Sequence, residues 1–229
     1  MLHLRRWVVV TLFVGSLVVV RQGVAQATIG TNSCLPDVPN ACFDNTGDIG
    51  DDSCQGFNSC AFNSGDVGDN SCHEEHACEV NAGEVGDHAC NGGEACGSNT
   101  GDVGDLSCNG INACSSNDGA VGKRACVGLL ACLSNSGNVH KKACLGFRAC
   151  LLNAGQIDKK ACVGLNACLS NTGNVGANSC QGESACENNS GKIAKKACNG
   201  DRACFGNTLD RKKGECNGPP VNGVGVCEQ

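Results

Sequence analysis

Apolar and polar positions along the chain return every 18 residues, and this period says more about the architecture than any local stretch does. Over residues 53–214 the unit S/A-C-x-G-x-x-S/A-C-x-x-N-x-G-x-V/I-G-x-x repeats nine times. A short fixed period marks a stack of repeats, in which one unit cannot bury its inner side alone. Helical repeats need about 30 residues or more for two helices, whereas 18 residues with several Gly and a β-branched position suit one turn of a β-helix. The pattern predicts an all-β fold, a single β-solenoid of 18-residue coils. With about 4.8 Å per coil, eleven coils make a rod roughly 50 Å long.

In such a stack each column of the repeat becomes a row of side chains. The row Ile49, Val67, Val85, Val103, Val121, Val139, Ile157, Val175 and Ile193 is restricted to β-branched residues and is expected to point inward. A second row consists of Asn45, Asn63, Asn81, Asn99, Asn117, Asn135, Asn153, Asn171, Asn189 and Asn207, followed two residues on by glycine from Gly47 to Gly191. Asparagine and glycine tolerate left-handed backbone, so N-x-G predicts a corner at which Asn amides bond along the stack. Residues 28–52 form an N-terminal capping coil and 215–229 a C-terminal cap. All four prolines, Pro36, Pro39, Pro219 and Pro220, lie in these caps, where loss of a ladder donor blocks end-to-end growth.

Composition explains what holds such a stack. The 229 residues include 22 Cys and 33 Gly but six Phe, one Trp and no Tyr, too few large side chains for an ordinary core. Cysteines one coil apart, with Cα atoms about 4.8 Å apart, are close enough to bond. Each column, however, holds eleven, so pairing along columns strands a thiol in each, while pairing within coils uses all 22. The expected bridges are Cys34 with Cys42, Cys54 with Cys60, Cys72 with Cys78, Cys90 with Cys96, Cys108 with Cys114, Cys126 with Cys132, Cys144 with Cys150, Cys162 with Cys168, Cys180 with Cys186, Cys198 with Cys204, and Cys216 with Cys227. The competing use of so many thiols, metal binding, favours C-x2-4-C clusters and reduced sulfur.

Residues 1–27 read as a secretory signal peptide: Arg5 and Arg6, an apolar run from Trp7 to Val20, then Ala25-Gln26-Ala27 as a small-x-small cleavage pattern. The run of about 14 residues is short of the ~20 that a membrane-spanning helix needs. The expected location is extracellular, an oxidising compartment in which disulfides persist.

A C-x5-C pair recurring on a short coil resembles the beetle antifreeze proteins, whose coils carry T-C-T-x-S-x-x-C and an internal disulfide. The resemblance covers residues 53–214 and implies a disulfide-stapled β-helix. In that family the threonines flanking the first Cys form an ice-binding surface. The equivalent positions here are Ser53 and Gln55, Ser71 and His73, Ala89 and Asn91, and Ser107 and Asn109, with no Thr-Cys-Thr. The row after each Asn is the alternative ice-binding candidate: Thr46, Ser64, Thr100, Ser136, Thr172, Ser190 and Thr208, interrupted by Asp118.

Charge is segregated along the chain. Residues 28–122 hold 16 Asp and Glu and no Lys or Arg, whereas 123–229 hold 14 Lys and Arg and seven acids. The acidic ladder Asp48, Asp51, Asp66, Asp69, Glu84, Asp87, Asp102 and Asp105 is a candidate Ca²⁺ site, since hard cations take several carboxylate oxygens. The column of Asp51 and the column beside it continue as Lys123, Arg124, Lys141, Lys142, Lys159, Lys160, Lys195 and Lys196, candidates for an acidic polysaccharide or another copy's acidic end. His73, His76 and His88, near Glu74 and Glu75, are a lesser metal candidate, and Asn188 opens an N-x-S glycosylation sequon.

Coils five to seven carry Val127, Leu129, Leu130, Leu133, Leu145, Phe147, Leu151, Leu152, Val163, Leu165 and Leu169 at columns that are polar elsewhere. Facing outward, they make an apolar patch suited to a partner or to self-association. Nucleic acid is disfavoured by net negative charge and scarce aromatics, and no membrane contact is expected after signal cleavage. No nucleophile elbow or phosphate loop occurs, and no cofactor other than Ca²⁺ is expected. The expectation is a secreted structural or surface-binding repeat protein and not an enzyme, with ice binding and calcium-dependent matrix or polysaccharide binding as alternatives.

Overall fold

The computed structural model describes residues 27–218 and residue 227; residues 1–26 of the segment expected to be a signal peptide, and Pro219 and Pro220, lie outside the described residues. Four residues in almost every coil adopt left-handed backbone, and they decide what the coil becomes. In the coil beginning at Cys126 they are Cys126, Leu130, Ser134 and Lys142, with φ of 53°, 58°, 52° and 58°. The last three are third residues of β-turns. Those turns close through N–H donation from Ala131 to the Gly128 carbonyl, Asn135 to Cys132, and Ala143 to His140, at 3.2 to 3.3 Å. Positive φ at the third residue is the type II pattern, in which Gly or Asn is usual.

This turn-built coil corrects the all-β solenoid predicted from the period. A left-handed residue cannot continue an extended run, so strands have no length in which to develop. Among the described residues there is no helix, and β pairing shrinks to isolated parallel bridges, principally one per coil along Ile49, Val67, Val85, Val103, Val121, Val139, Ile157, Val175 and Ile193. Sequence reading missed this because Leu, Lys, Arg, His and even Val80 occupy the left-handed positions, residue types that carry no turn signal.

The coils nevertheless stack in register, because backbone groups that cannot pair within a sheet pair with the next coil instead. Cys132 N–H donates to Ala113 O at 2.6 Å, Val139 to Ala120 O at 2.8 Å and Gly122 to Val139 O at 2.7 Å. In the first coil the two extra residues are absorbed between Cys34 and Pro39. Its bridge, Ile29 to Ile49, spans 20 residues, while the bond from Asn58 N–H to Pro39 O already has the ordinary spacing.

The interior is built from four repeated elements. Eleven disulfides each join the two cysteines of one coil, with Cα atoms 5.4 to 5.6 Å apart. They stack closely: the sulfurs of Cys90, Cys96 and Cys108 lie within 4.8 Å of one another. The Val/Ile row and the residue preceding the second cysteine, Ala in the coils from Cys72 to Cys204 and Ser59 before Cys60, are buried against them. The Asn row is a continuous polar ladder. Each Asn from Asn63 to Asn207 donates through Nδ2 to the Oδ1 of the Asn one coil earlier at 2.7 to 2.8 Å. The same nitrogen donates to the carbonyl two residues on, as in Asn135 to Gly137 O at 2.7 Å.

Close approach of coils sets the glycine row beside this ladder. A Cβ at Gly119 would strike the Gly137 carbonyl oxygen of the next coil, so the row stays bare until it ends at Leu209, which is exposed. The C-terminal end of the ladder is closed by Arg211. It stands in the Val/Ile column, and its Nε donates to Asn207 Oδ1 at 2.7 Å while Nη2 donates to Cys227 O at 3.2 Å.

Candidate interaction faces

Because the inward rows are taken up by packing, the sites available for recognition are rows of outward side chains. The first face lies either side of the Val/Ile bridges. An open groove of about 1120 Å³ runs along it, walled by Asp48, Asp66 and Asp102 on one side and by Asp87, Asp105, Lys141 and Lys159 on the other. Its floor is bare where Gly50, Gly68, Gly86, Gly104 and Gly122 stand, and carries side chains at His140 and Asp158.

The carboxylates here satisfy backbone donors. Asp48 Oδ1 accepts from Thr28 N–H at 2.7 Å, Asp66 from Asp48 at 2.9 Å, Asp51 from Thr31 at 2.6 Å, Asp69 from Asp51 at 2.8 Å, Asp87 from Asp69 at 3.1 Å and Asp102 from Glu84 at 3.1 Å. Where acids give way to other residues, Asn138 and Asn174 take the same role toward Ala120 and Gln156, both at 3.0 Å. The Thr28 amide holds the Asp48 carboxyl below the usual carboxylate range. Asp105 is also lowered, chiefly by its hydrogen bond from Lys123 at 2.7 Å.

This arrangement gives Ca²⁺ no preformed cage. Calcium needs six to eight converging oxygens. Among the described residues, the triads of His, Cys, Asp and Glu ligand atoms lying within 4.8 Å of one another are all of cysteine sulfur, and those sulfurs are disulfide-bonded. The histidines are dispersed: His73 Nε2 lies 2.7 Å from Asp52 O, His76 Nδ1 lies 2.6 Å from Glu79 Oε2, and His88 is exposed.

The second face is apolar. Leu129, Phe147, Leu152 and Leu165 are exposed, while Val127, Leu130, Leu133, Leu145, Leu151, Val163 and Leu169 are half-buried, so the patch is at the surface. The Arg148 guanidinium lies 4.7 Å above the Phe147 ring. The residue after the first cysteine shows how the backbone adapts. When polar it caps a carbonyl 21 residues back, as Asn91 Nδ2 does to Asn70 O at 2.9 Å and Asn109 to His88 O at 3.0 Å. When it is Val127, Leu145 or Val163, a second column of parallel bridges forms in its place. The signal for this was the swap from amide to aliphatic in one column.

The third face is the row of Thr46, Ser64, Thr100, Ser136, Thr172, Ser190 and Thr208, all exposed. Asp118 stands in it and accepts the Thr100 hydroxyl at 2.7 Å. Asn188 is exposed on a left-handed turn residue, φ 56°, two residues before exposed Ser190. Sequence reasoning also missed the serine bridges between coils: Ser53 Oγ donates to Gly68 O at 2.8 Å and accepts from Ser71 N–H at 3.0 Å.

Disulfides in this number are typical of extracellular proteins. Neither a curated protein nor a solved structure matches the chain. One family model matches twice, over residues 36–148 and 142–228, and so takes in most of the repeat. The chain belongs to the family described as "Domain of unknown function (DUF7640)".

Proposed function

We propose that the protein is an extracellular structural or surface-binding repeat that works through its outward rows rather than by catalysis. The observation that carries this reading is the contrast between rows. Cys, Asn, Gly and Val/Ile recur in coil after coil where side chains face in, while the outward columns are sorted into acidic, apolar and basic blocks. A scaffold that needed only solubility would gain nothing from such blocks, since interspersed charges serve that end better. Regular rows about 4.8 Å apart suit an extended polymer, which meets equivalent side chains at each coil. The exposed basic pairs of three successive coils, Lys123 with Arg124, Lys141 with Lys142 and Lys159 with Lys160, favour an anionic linear polysaccharide as the polymer.

The test is a panel of immobilised polymers, one sulfated polysaccharide, one polyuronate, one neutral glucan and ice, against the oxidised protein. Saturable retention on an anionic polymer, lost in Lys141→Glu/Lys142→Glu, is expected. Turnover of chromogenic ester, glycoside or peptide substrates without retention on any polymer would overturn the reading.

A further inference from the structure

We infer that the charged face is self-complementary, so that two copies of the chain pair antiparallel and face to face about a two-fold axis falling between Asp105 and Lys123. The inference goes beyond polymer binding. It starts from one column, which reads Asp51, Asp69, Asp87, Asp105 and then changes sign to Lys123, Lys141, Lys159. All of these side chains are exposed except Asp105, which is half-buried. Among the described residues the ladder is neutralised only at its seam, where Lys123 Nζ meets Asp105 Oδ2 at 2.7 Å, and Lys141 and Lys159 have no carboxylate within 4.0 Å.

A two-fold axis across the stack sets each column against itself with the coil order reversed. Asp105, Asp87 and Asp69 then face Lys123, Lys141 and Lys159 of the second copy, and symmetry repeats the three pairs. The Asp105–Lys123 pair becomes half of an alternating quartet on the axis. Parallel pairing puts acid on acid, and moving the axis one coil toward the C-terminus puts Lys123 against Lys141 of the second copy, so charge alone selects this register.

The groove floor agrees independently. In the same register the two side chains that rise from it, His140 and Asp158, face the bare Gly86 and Gly68 of the second copy. The opposite wall brings no like charges together, since Asp66 and Glu84 face Gln156 and Asn138.

Exposed ion pairs are individually weak and screened by salt, so the association belongs to low ionic strength. Sedimentation velocity on the oxidised full chain, over a concentration series at about 20 mM and about 500 mM salt, reads it. A dimer at low salt is expected, weakened at least about tenfold at high salt. Asp87→Lys alone and Lys141→Asp alone should each weaken it by about tenfold or more, and the double swap should restore it. Asp87→Asn keeps the acceptor for Asp69 N–H and removes only the charge, so its loss of dimer with an unchanged melting temperature separates interface from fold. A monomer at every concentration in low salt, or a dimer indifferent to these substitutions, would overturn the inference.

Discussion

The coils beginning at Cys72 and Cys144 share their inward side chains, with Val85 against Ile157 the one change, and have almost nothing in common outside. His73, Glu74, Glu75, Glu79 and Asp87 of the first stand where the second has Leu145, Gly146, Phe147, Leu151 and Lys159. Their backbones nevertheless follow the same turns, with left-handed residues at Cys72, His76, Val80 and His88 in one and Cys144, Arg148, Leu152 and Lys160 in the other. The conformation is therefore set by the interior, and the exterior is free to vary. The one local adjustment lies beside the first cysteine, where His73 contacts a carbonyl through its ring and Leu145 pairs through its backbone.

If the interior governs, equal damage to it should cost the same in both coils. The largest effect is expected for Asn81→Ala and Asn153→Ala. Each removes two donations and one acceptance from buried groups, for about 4 kcal/mol by denaturant unfolding. A difference of more than about 1.5 kcal/mol between the two would show that the outer residues share in holding the coil. Next come the disulfides: replacing Cys72 and Cys78, or Cys144 and Cys150, by Ala opens a six-residue span and should cost about 2 kcal/mol in either coil.

A smaller effect sharpens the comparison with opposite sign. Val80 is β-branched, half exposed and held at φ 57°, so Val80→Gly should stabilise by about 1 kcal/mol, and Leu152→Gly by less. Loss of stability in Val80→Gly would mean that the side chain contributes more than its backbone strain costs. The smallest effect is expected for Leu145→Asn, which exchanges the local backbone bridge for a side-chain cap on the Arg124 carbonyl; stability should change by under about 0.5 kcal/mol.

The repeat, the buried Val/Ile row and the Asn ladder were legible in the sequence because each is a restriction on residue type at fixed spacing. Within-coil disulfides followed from the odd number of cysteines in each column, and the structure has that pairing. The coil's conformation was not legible. A β-branched row and frequent glycine suggest strands, and nothing about Leu130, Arg148 or Lys160 announces a left-handed residue. Such residues are imposed by stacking against neighbouring coils, an override of local preference by tertiary contacts. The acidic ladder illustrates the same point for function. Its spacing reads as a cation site; in the structure carboxylates such as Asp66 and Asp69 cap backbone amides of the preceding coil, and among the described residues no three of the ladder's carboxylates bring oxygens within 4.8 Å of one another. Arg211 was hidden because it differs from its column, and a capping role appears only once the Asn207 amide oxygen is seen beside it.

The central claim is that a buried side-chain ladder and backbone hydrogen bonds from coil to coil, with a disulfide bracing each coil, hold the stack together without a continuous β-sheet. Hydrogen exchange at the Asn side-chain amides, followed by NMR on the oxidised protein, tests it most directly. The Nδ2 protons of Asn63 through Asn189 should exchange as slowly as the best protected backbone amides, opening only with global unfolding. Exchange of those protons at the rate of exposed asparagines such as Asn138 or Asn174, in a protein that remains folded, would contradict the account.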